Sequence, residues 1–169
     1  MDSLALRPWA ADDLALLHRA NTAEMTAHLN GPESSAELVA RNERYVRLRS
    51  SGEARIFVVI ENREPLGSIG YWQTIWRGEA ALEAGWFVLP ESQGRGVASA
   101  ALALLVADAR EHRGERRLLT AFPQVENGPS NAVCKRAGFD FAGTISARFR
   151  GSALTMNEWV LDLSRGVGS

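Results

Sequence analysis

Two glycines set two residues apart, in Gln93-Gly94-Arg95-Gly96-Val97-Ala98, give the chain its first chemical feature. Without Cβ atoms, the backbone there can turn successive N–H groups toward one point. From Val97 to Ala109 the chain is apolar almost all round and rich in Ala and Leu, with Asp108 and Arg110 near its far end. That pattern predicts a helix packed on a sheet. A glycine turn feeding a helix N-terminus attracts an anion, because the first-turn amides lack intrahelical partners and carry the positive end of the helix dipole. Two common phosphate loops do not match. A nucleotide-hydrolase loop needs Lys and then Ser or Thr after its last glycine, and a dinucleotide fingerprint needs a third glycine where this chain has Ser99.

The elements that would hold this turn can be read outward from it. Leu82 to Leu89 mixes aromatic and β-branched residues and stops at Pro90, which suits a buried strand leading into the turn. Leu4 and Leu6 predict a short first strand, and Asp12-Asp13 place negative charge where a helix begins, with Leu14, Leu17 and Asn21 on one face. Thr22 to Pro32 is a loop. Leu38, Arg41, Tyr45 and Leu48 then share a second helical face that ends at Ser51-Gly52. Ile56 to Ile60 and Leu66 to Trp72 form a hairpin around a turn from Glu61 to Pro65, and a polar connection with Trp76, Arg77 and Gly78 leads into the strand before the turn. After the long helix, Arg117 to Phe122 reads as a strand reached by a crossover, hence parallel to Leu82–Leu89. Asn127 to Arg136 reads as a helix with Gly138 as its C-cap, and Phe139–Phe149 and Leu154–Leu163 as two closing strands. The tail, Ser164 to Ser169, is expected to be mobile, leaving one domain over residues 1–163.

Bulk properties narrow the function classes. The 169 residues carry a net charge of −1, so no field favours nucleic acid. One cysteine excludes an internal disulfide, and no apolar run approaches the ~20 residues of a membrane helix. Met1-Asp2-Ser3 runs straight into structure without the pattern of a signal peptide, so the expectation is a cytoplasmic protein.

Gln93, Gly96 and Ala98 occupy the defining positions of Q/R-x-x-G-x-G/A, the acetyl-CoA loop of the GCN5-related N-acetyltransferases. Upstream, Leu82-Glu83-Ala84-Gly85-Trp86-Phe87-Val88 resembles the family's strand before that loop. Downstream, Asn127-Gly128-Pro129-Ser130 to Ala137-Gly138-Phe139 resembles its N-x-x-S…x-G-F segment. The chain is similar to the family over nearly its whole length, most of all to the branch that acetylates ribosomal-protein N-termini. The resemblance implies an α/β (α+β) fold in the order βααβββαβαββ. It would have about four helices and a twisted, mostly antiparallel mixed sheet of six or seven strands, with two central parallel strands splayed apart.

What the resemblance implies for the site can be stated by residue. The amides of Gln93, Gly94, Arg95, Gly96, Val97, Ala98 and Ser99 would hold the pyrophosphate of acetyl-CoA, with Arg95 adding charge. Backbone groups of Phe87, Val88 and Leu89 would pair with the pantetheine arm, Asn127 would bond to the same arm, and the Val88 amide would polarise the acetyl carbonyl. Glu83 would accept the proton of the incoming ammonium, with Glu79 a less well placed substitute. Ser130 would protonate the departing thiolate. Many family members use a tyrosine where this chain has Cys134, which reads more simply as a small buried hydrophobe.

In such a fold the acceptor approaches opposite the cofactor, past Met25, His28, Asn30, Trp72 and Trp76, whose aromatics suit an apolar or cationic group. The expected activity is direct acetyl transfer from acetyl-CoA to a primary amine of a small molecule or a protein N-terminus, without a metal. The alternative is an acyl-CoA-binding module that has lost turnover. The closing hairpin offers a surface on which two chains could form a homodimer.

Overall fold

The computed structural model describes residues 3–149 and 151–166. Its elements are β1 (Ala5–Pro8), α1 (Leu14–Ala20), α2 (Ser35–Ser51), β2 (Ala54–Glu61), β3 (Glu64–Trp76), β4 (Glu79–Val88), α3 (Val97–His112), β5 (Leu118–Ala121), α4 (Gly128–Arg136), β6 (Asp140–Phe149) and β7 (Ser152–Asp162). The seven strands form one sheet in the order β1-β2-β3-β4-β5-β7-β6. Its one parallel pair is β4 with β5, the pair that α3 connects. This is the expected element order, with seven strands and four helices.

Strand ends shift by a few residues from the sequence reading, most of all at the two hairpin turns. The first hairpin turns on Asn62 and Arg63 alone, at φ 52° and 67°. A two-residue turn with both residues at positive φ matches strand twist, so Pro65 enters β3 and pairs with Ile60 beside a register shift. Arg77 and Gly78 turn the next hairpin in the same way, at φ 49° and 79°. Trp76 therefore ends β3 and β4 begins at Glu79, so Glu79 lies in the strand rather than before it.

Alternation along the strands sorts side chains into two layers. Phe57, Val59, Ile69, Tyr71, Leu82 and Ala84 pack beneath α3 and α4, where Leu102 and Leu105 are fully buried. Burying each such leucine contributes about 1.5–3 kcal/mol. Ile56, Val58, Phe87 and Leu89 face the opposite way, onto Leu16, Leu17 and Leu38 of α1 and α2. Ser34 caps α2 by accepting from the Glu37 amide at 3.1 Å, and Gly52, at φ 81°, ends it. Asp108 pins α3 to the sheet. It accepts two bonds from Arg55, at 2.7 and 2.9 Å, and one from the Tyr71 hydroxyl at 2.7 Å.

The feature that makes a site is where β4 and β5 part. They pair at Leu82–Leu119, Glu83–Thr120 and Ala84–Ala121, and there β5 ends while β4 continues through Trp86 to Val88. Beyond that point a gap opens in the middle of the sheet. At the other end of β5 the Leu163 amide bonds to the Arg117 carbonyl at 2.7 Å, and Ser164 bonds to Asp162. Residues 167–169 of the expected mobile tail lie outside the described residues.

Candidate active site

A cavity of about 620 Å³ occupies the gap. One wall is the turn and first residues of α3. Gly94 and Gly96 adopt φ 77° and 76°, a region costly to residues with a Cβ, and nothing lies within 4 Å of where those Cβ atoms would be. The first bond of α3 runs from the Ala100 amide to the Gly96 carbonyl at 3.1 Å. The amides of Val97, Ala98 and Ser99 come before it, at the mouth of a 16-residue helix with no side-chain cap. They are donors at the positive end of the dipole, as an anion site requires. Gly94, Gly96, Val97, Ala98 and Ser99 all line the cavity.

Arg95 does not line it. Its guanidinium meets Glu61 at 3.0 Å instead. Gln93 commits both groups within the protein: its amide donates to the Pro90 carbonyl at 3.2 Å, and its Nε2 donates to the Val88 carbonyl at 2.9 Å and lies 3.6 Å from the Met25 sulfur. It thereby ties the end of β4 to the loop between α1 and α2.

Along β4, backbone groups point alternately to the two edges. The Leu89 amide bonds to the Leu66 carbonyl at 2.8 Å, and a Cβ on Gly67 would collide with the Phe87 carbonyl oxygen, so both residues address β3. Val88, between them, addresses the gap. Of the three residues expected to offer backbone groups to a pantetheine arm, the geometry therefore leaves Val88, joined by Trp86, which shares its direction and lines the cavity.

The far wall is α4. Asn127 caps it by accepting from the Ser130 amide at 3.3 Å, and both residues line the cavity. The Ser130 hydroxyl has no hydrogen bond among the described residues, so it is free to point at a ligand. Its position depends on Asn131, which sequence reasoning passed over. Asn131 donates to the carbonyls of Gln124 and Asn127, at 3.0 and 2.8 Å, and accepts from Asn157 and Trp159, both at 2.9 Å. Cys134 is fully buried in the core, and burial pushes its thiol up to about 12. It is a packing residue.

Glu83 stands one residue before the last paired position of the two parallel strands, on the face turned away from α3. It is half-buried and outside the cofactor-sized cavity. Burial holds its carboxyl above the ordinary glutamate value, opposed by a hydrogen bond from Trp72, its cross-strand neighbour. Gly85 makes room for that indole: a Cβ there would lie 2.8 Å from the Trp72 ring. Trp72 thus holds the carboxylate in place, a role its type did not announce. Glu79 is exposed and 3.7 Å from Arg117.

Of the expected acceptor residues, Met25 and His28 line the cavity, joined by Glu24. The His28 Nδ1 shares a 2.9 Å hydrogen bond with the Gln124 side-chain oxygen, so the loop after α1 reaches across to the segment after β5. Asn30, Trp72 and Trp76 lie elsewhere. Ser92, Pro129, Val133 and Arg136 also line the cavity but were not singled out from sequence; only the helical spacing of Val133 and Arg136 from Ser130 could have suggested the last two. No group of three or more potential metal ligands occurs among the described residues, and no helix among them is long and apolar enough to cross a membrane.

Comparison with solved structures finds the same fold in several acetyltransferases. A ribosomal alpha-N-protein acetyltransferase in complex with coenzyme A superposes with a TM-score of 0.79 at 21% identity, covering 95% of this chain and 94% of that one. An acetyltransferase from Salmonella typhimurium that modifies the N-terminal serine of a 50S ribosomal subunit protein gives 0.80 at 22%, covering 95% of both chains. Spermidine N-acetyltransferase from Vibrio cholerae, in complex with CoA and spermine, gives 0.77 at 20%, covering 95% of this chain and 96% of that one. The search of curated proteins by sequence finds no match. The acetyltransferase (GNAT) domain family matches residues 3–140, a span holding the glycine turn, the parted strands and the whole of α4, and the chain belongs to that family.

Proposed function

We propose that the protein transfers an acetyl group from acetyl-CoA directly to a primary amine. The observation that carries this reading is the meeting of three features at the parting of β4 and β5: an anion-ready helix N-terminus, the Val88 N–H facing the gap, and a carboxyl whose affinity for protons burial has raised. The turn and α3 amides would take the pyrophosphate, and Trp86 and Val88 the pantetheine. The cavity's volume lies within the range of small-ligand sites. The neighbouring structures that hold coenzyme A support the same donor.

The chemistry then follows from position. Glu83 accepts a proton from the acceptor ammonium, directly or through water, and its raised proton affinity makes it a better base than an exposed glutamate. The freed amine nitrogen attacks the thioester carbon. The carbonyl oxygen gains negative charge facing the Val88 N–H, a donor fixed before the reaction starts. As the C–S bond breaks, the thiolate takes a proton from Ser130, the one cavity-lining hydroxyl on α4, and the proton that the attacking nitrogen sheds restores the serine hydroxyl. Amide and free CoA are the products.

The acceptor is a small-molecule amine or a protein N-terminus, the two kinds of acceptor found among the neighbours. The free, buried Cys134 fits a cytoplasmic setting, and the edge strand β6, with Phe141 and Ile145 exposed, is where two chains would pair. The test is release of CoA thiol from acetyl-CoA with pooled polyamines, aminoglycosides, amino acids and short peptides. Release with one pool is expected. Binding of acetyl-CoA without release from any pool would favour an acyl-CoA-binding module, and failure to bind would overturn the cofactor site.

A further inference from the structure

Trp72, Thr74 and Trp76 share one face of β3 by the period of two, the face on which Trp72 meets Glu83. On β7 the alternation places Trp159 and Leu161 in the core beneath α3 and α4, and the Asn157 side chain on α4. Glu158 therefore faces the other way, toward the tryptophans. Cover from α1 and α2 reaches Trp72, which packs against the same cluster as Tyr45 and Leu48, while Thr74 and Trp76 beyond it are partly exposed. This strand face leads from Glu83 toward the β3–β4 turn.

At the end of that face sits an unusual cluster. Glu158 is 5% exposed and accepts from the Trp76 indole at 2.7 Å. Its second oxygen lies 3.1 Å from Nη2 of Arg77, which also donates to the Ala142 carbonyl at 2.9 Å. The guanidinium carbon stands 4.5 Å from the centroid of the Trp76 ring. A buried carboxylate, a carbonyl and an indole face are the parts of a cation-binding site. Here the cation is the chain's own. Arg77 is half exposed and sits on a two-residue turn, so its head is delivered from outside into a cradle formed by β3, β6 and β7.

We propose that this cradle is a cation subsite at the far end of the strand face that leads from Glu83, filled by Arg77, and that its occupancy selects acceptors bearing a single positive charge. The proposal rests on the amine-acetyltransferase reading above. Trp76 lies four residues beyond Trp72, roughly 13 Å along the strand. An acceptor whose amine reaches Glu83 and whose body follows this face brings any second cation, about four extended residues away in a peptide, to a carboxylate already paired with Arg77. Two cations then compete for one carboxylate. A monoamine or a peptide without a nearby basic residue meets no such conflict.

The experiment uses Arg77→Ala, Arg77→Met, which keeps an aliphatic cover over Trp76, and Arg77→Lys. Ethylguanidinium at millimolar concentration is expected to raise the thermal midpoint of the Ala and Met variants by several degrees and to leave the wild type unmoved. In turnover, kcat/KM for a diamine relative to a monoamine of similar length is expected to rise about tenfold in both variants, and Arg77→Lys to keep the wild-type ratio. Ethylguanidinium without effect on either variant overturns the subsite, and an unchanged ratio overturns its role in selection. Rescue by ethylguanidinium with no acetyl transfer by any form, wild type included, would keep the subsite while removing the transferase reading.

Discussion

The two ends of the proposed reaction path are built from different material. On the donor side the functional groups are main-chain amides, those of α3 and of Val88, and the side chains there mainly need to be absent, as at Gly94 and Gly96. On the acceptor side the groups are side chains brought from distant segments: Glu83 from β4, Trp72 and Trp76 from β3, Glu158 from β7. The difference teaches where tolerance lies. A backbone site is broken by changing conformation, whereas a side-chain site is broken by changing a single functional group.

The largest effect is expected from the acceptor side. Glu83→Gln should lower kcat by roughly 10²–10⁴-fold, the usual contribution of a general base. Acetyl-CoA affinity should stay unchanged in equilibrium binding, and an unaltered rate across pH would remove Glu83 from the mechanism. Next comes the proton donor: Ser130→Ala should cost roughly 10²-fold in kcat, while Cys134→Ala leaves kcat alone. The reverse pattern would move the acid to α4's core side.

Smaller effects separate the two ends further. Gly96→Val forces a β-branched residue into positive φ at a cost of about 1–2 kcal/mol. About tenfold weaker binding of acetyl-CoA should follow, read by calorimetry, with the acceptor preference intact. Trp72→Phe keeps a ring over Gly85 but removes the indole donor that stabilises the Glu83 carboxylate. With burial then unopposed, Glu83 should hold its proton to higher pH. Because the base must be deprotonated to act, the acidic limb of the kcat/KM profile should move to higher pH; a limb that stays put would show that Trp72 does not tune Glu83.

Much of the donor side was legible because its requirements are local. A strand ending at Pro90, two glycines and an apolar helix stand next to each other in the chain, and their resemblance to a known loop covers contiguous residues. Arg95 was the local residue that could not be read. Its charge suggested phosphate, but a rotatable side chain goes to whatever partner the fold supplies, here Glu61 of the neighbouring hairpin. Leu89 was a second, since which edge of β4 a backbone amide faces depends on where β3 lies.

By itself the sequence determined the order of elements, the layers made by alternating apolar residues and the anion-ready turn, because propensity, periodicity and glycine chemistry act over a few residues. Only the tertiary structure decided that β5 stops at Ala121 while β4 goes on, that Asn131 anchors α4 to β7, and that Arg77 lies on Trp76 beside Glu158. Those contacts join residues tens of positions apart. Their partners are chosen by the twist and closure of the whole sheet, and no short-range rule of the chain encodes them.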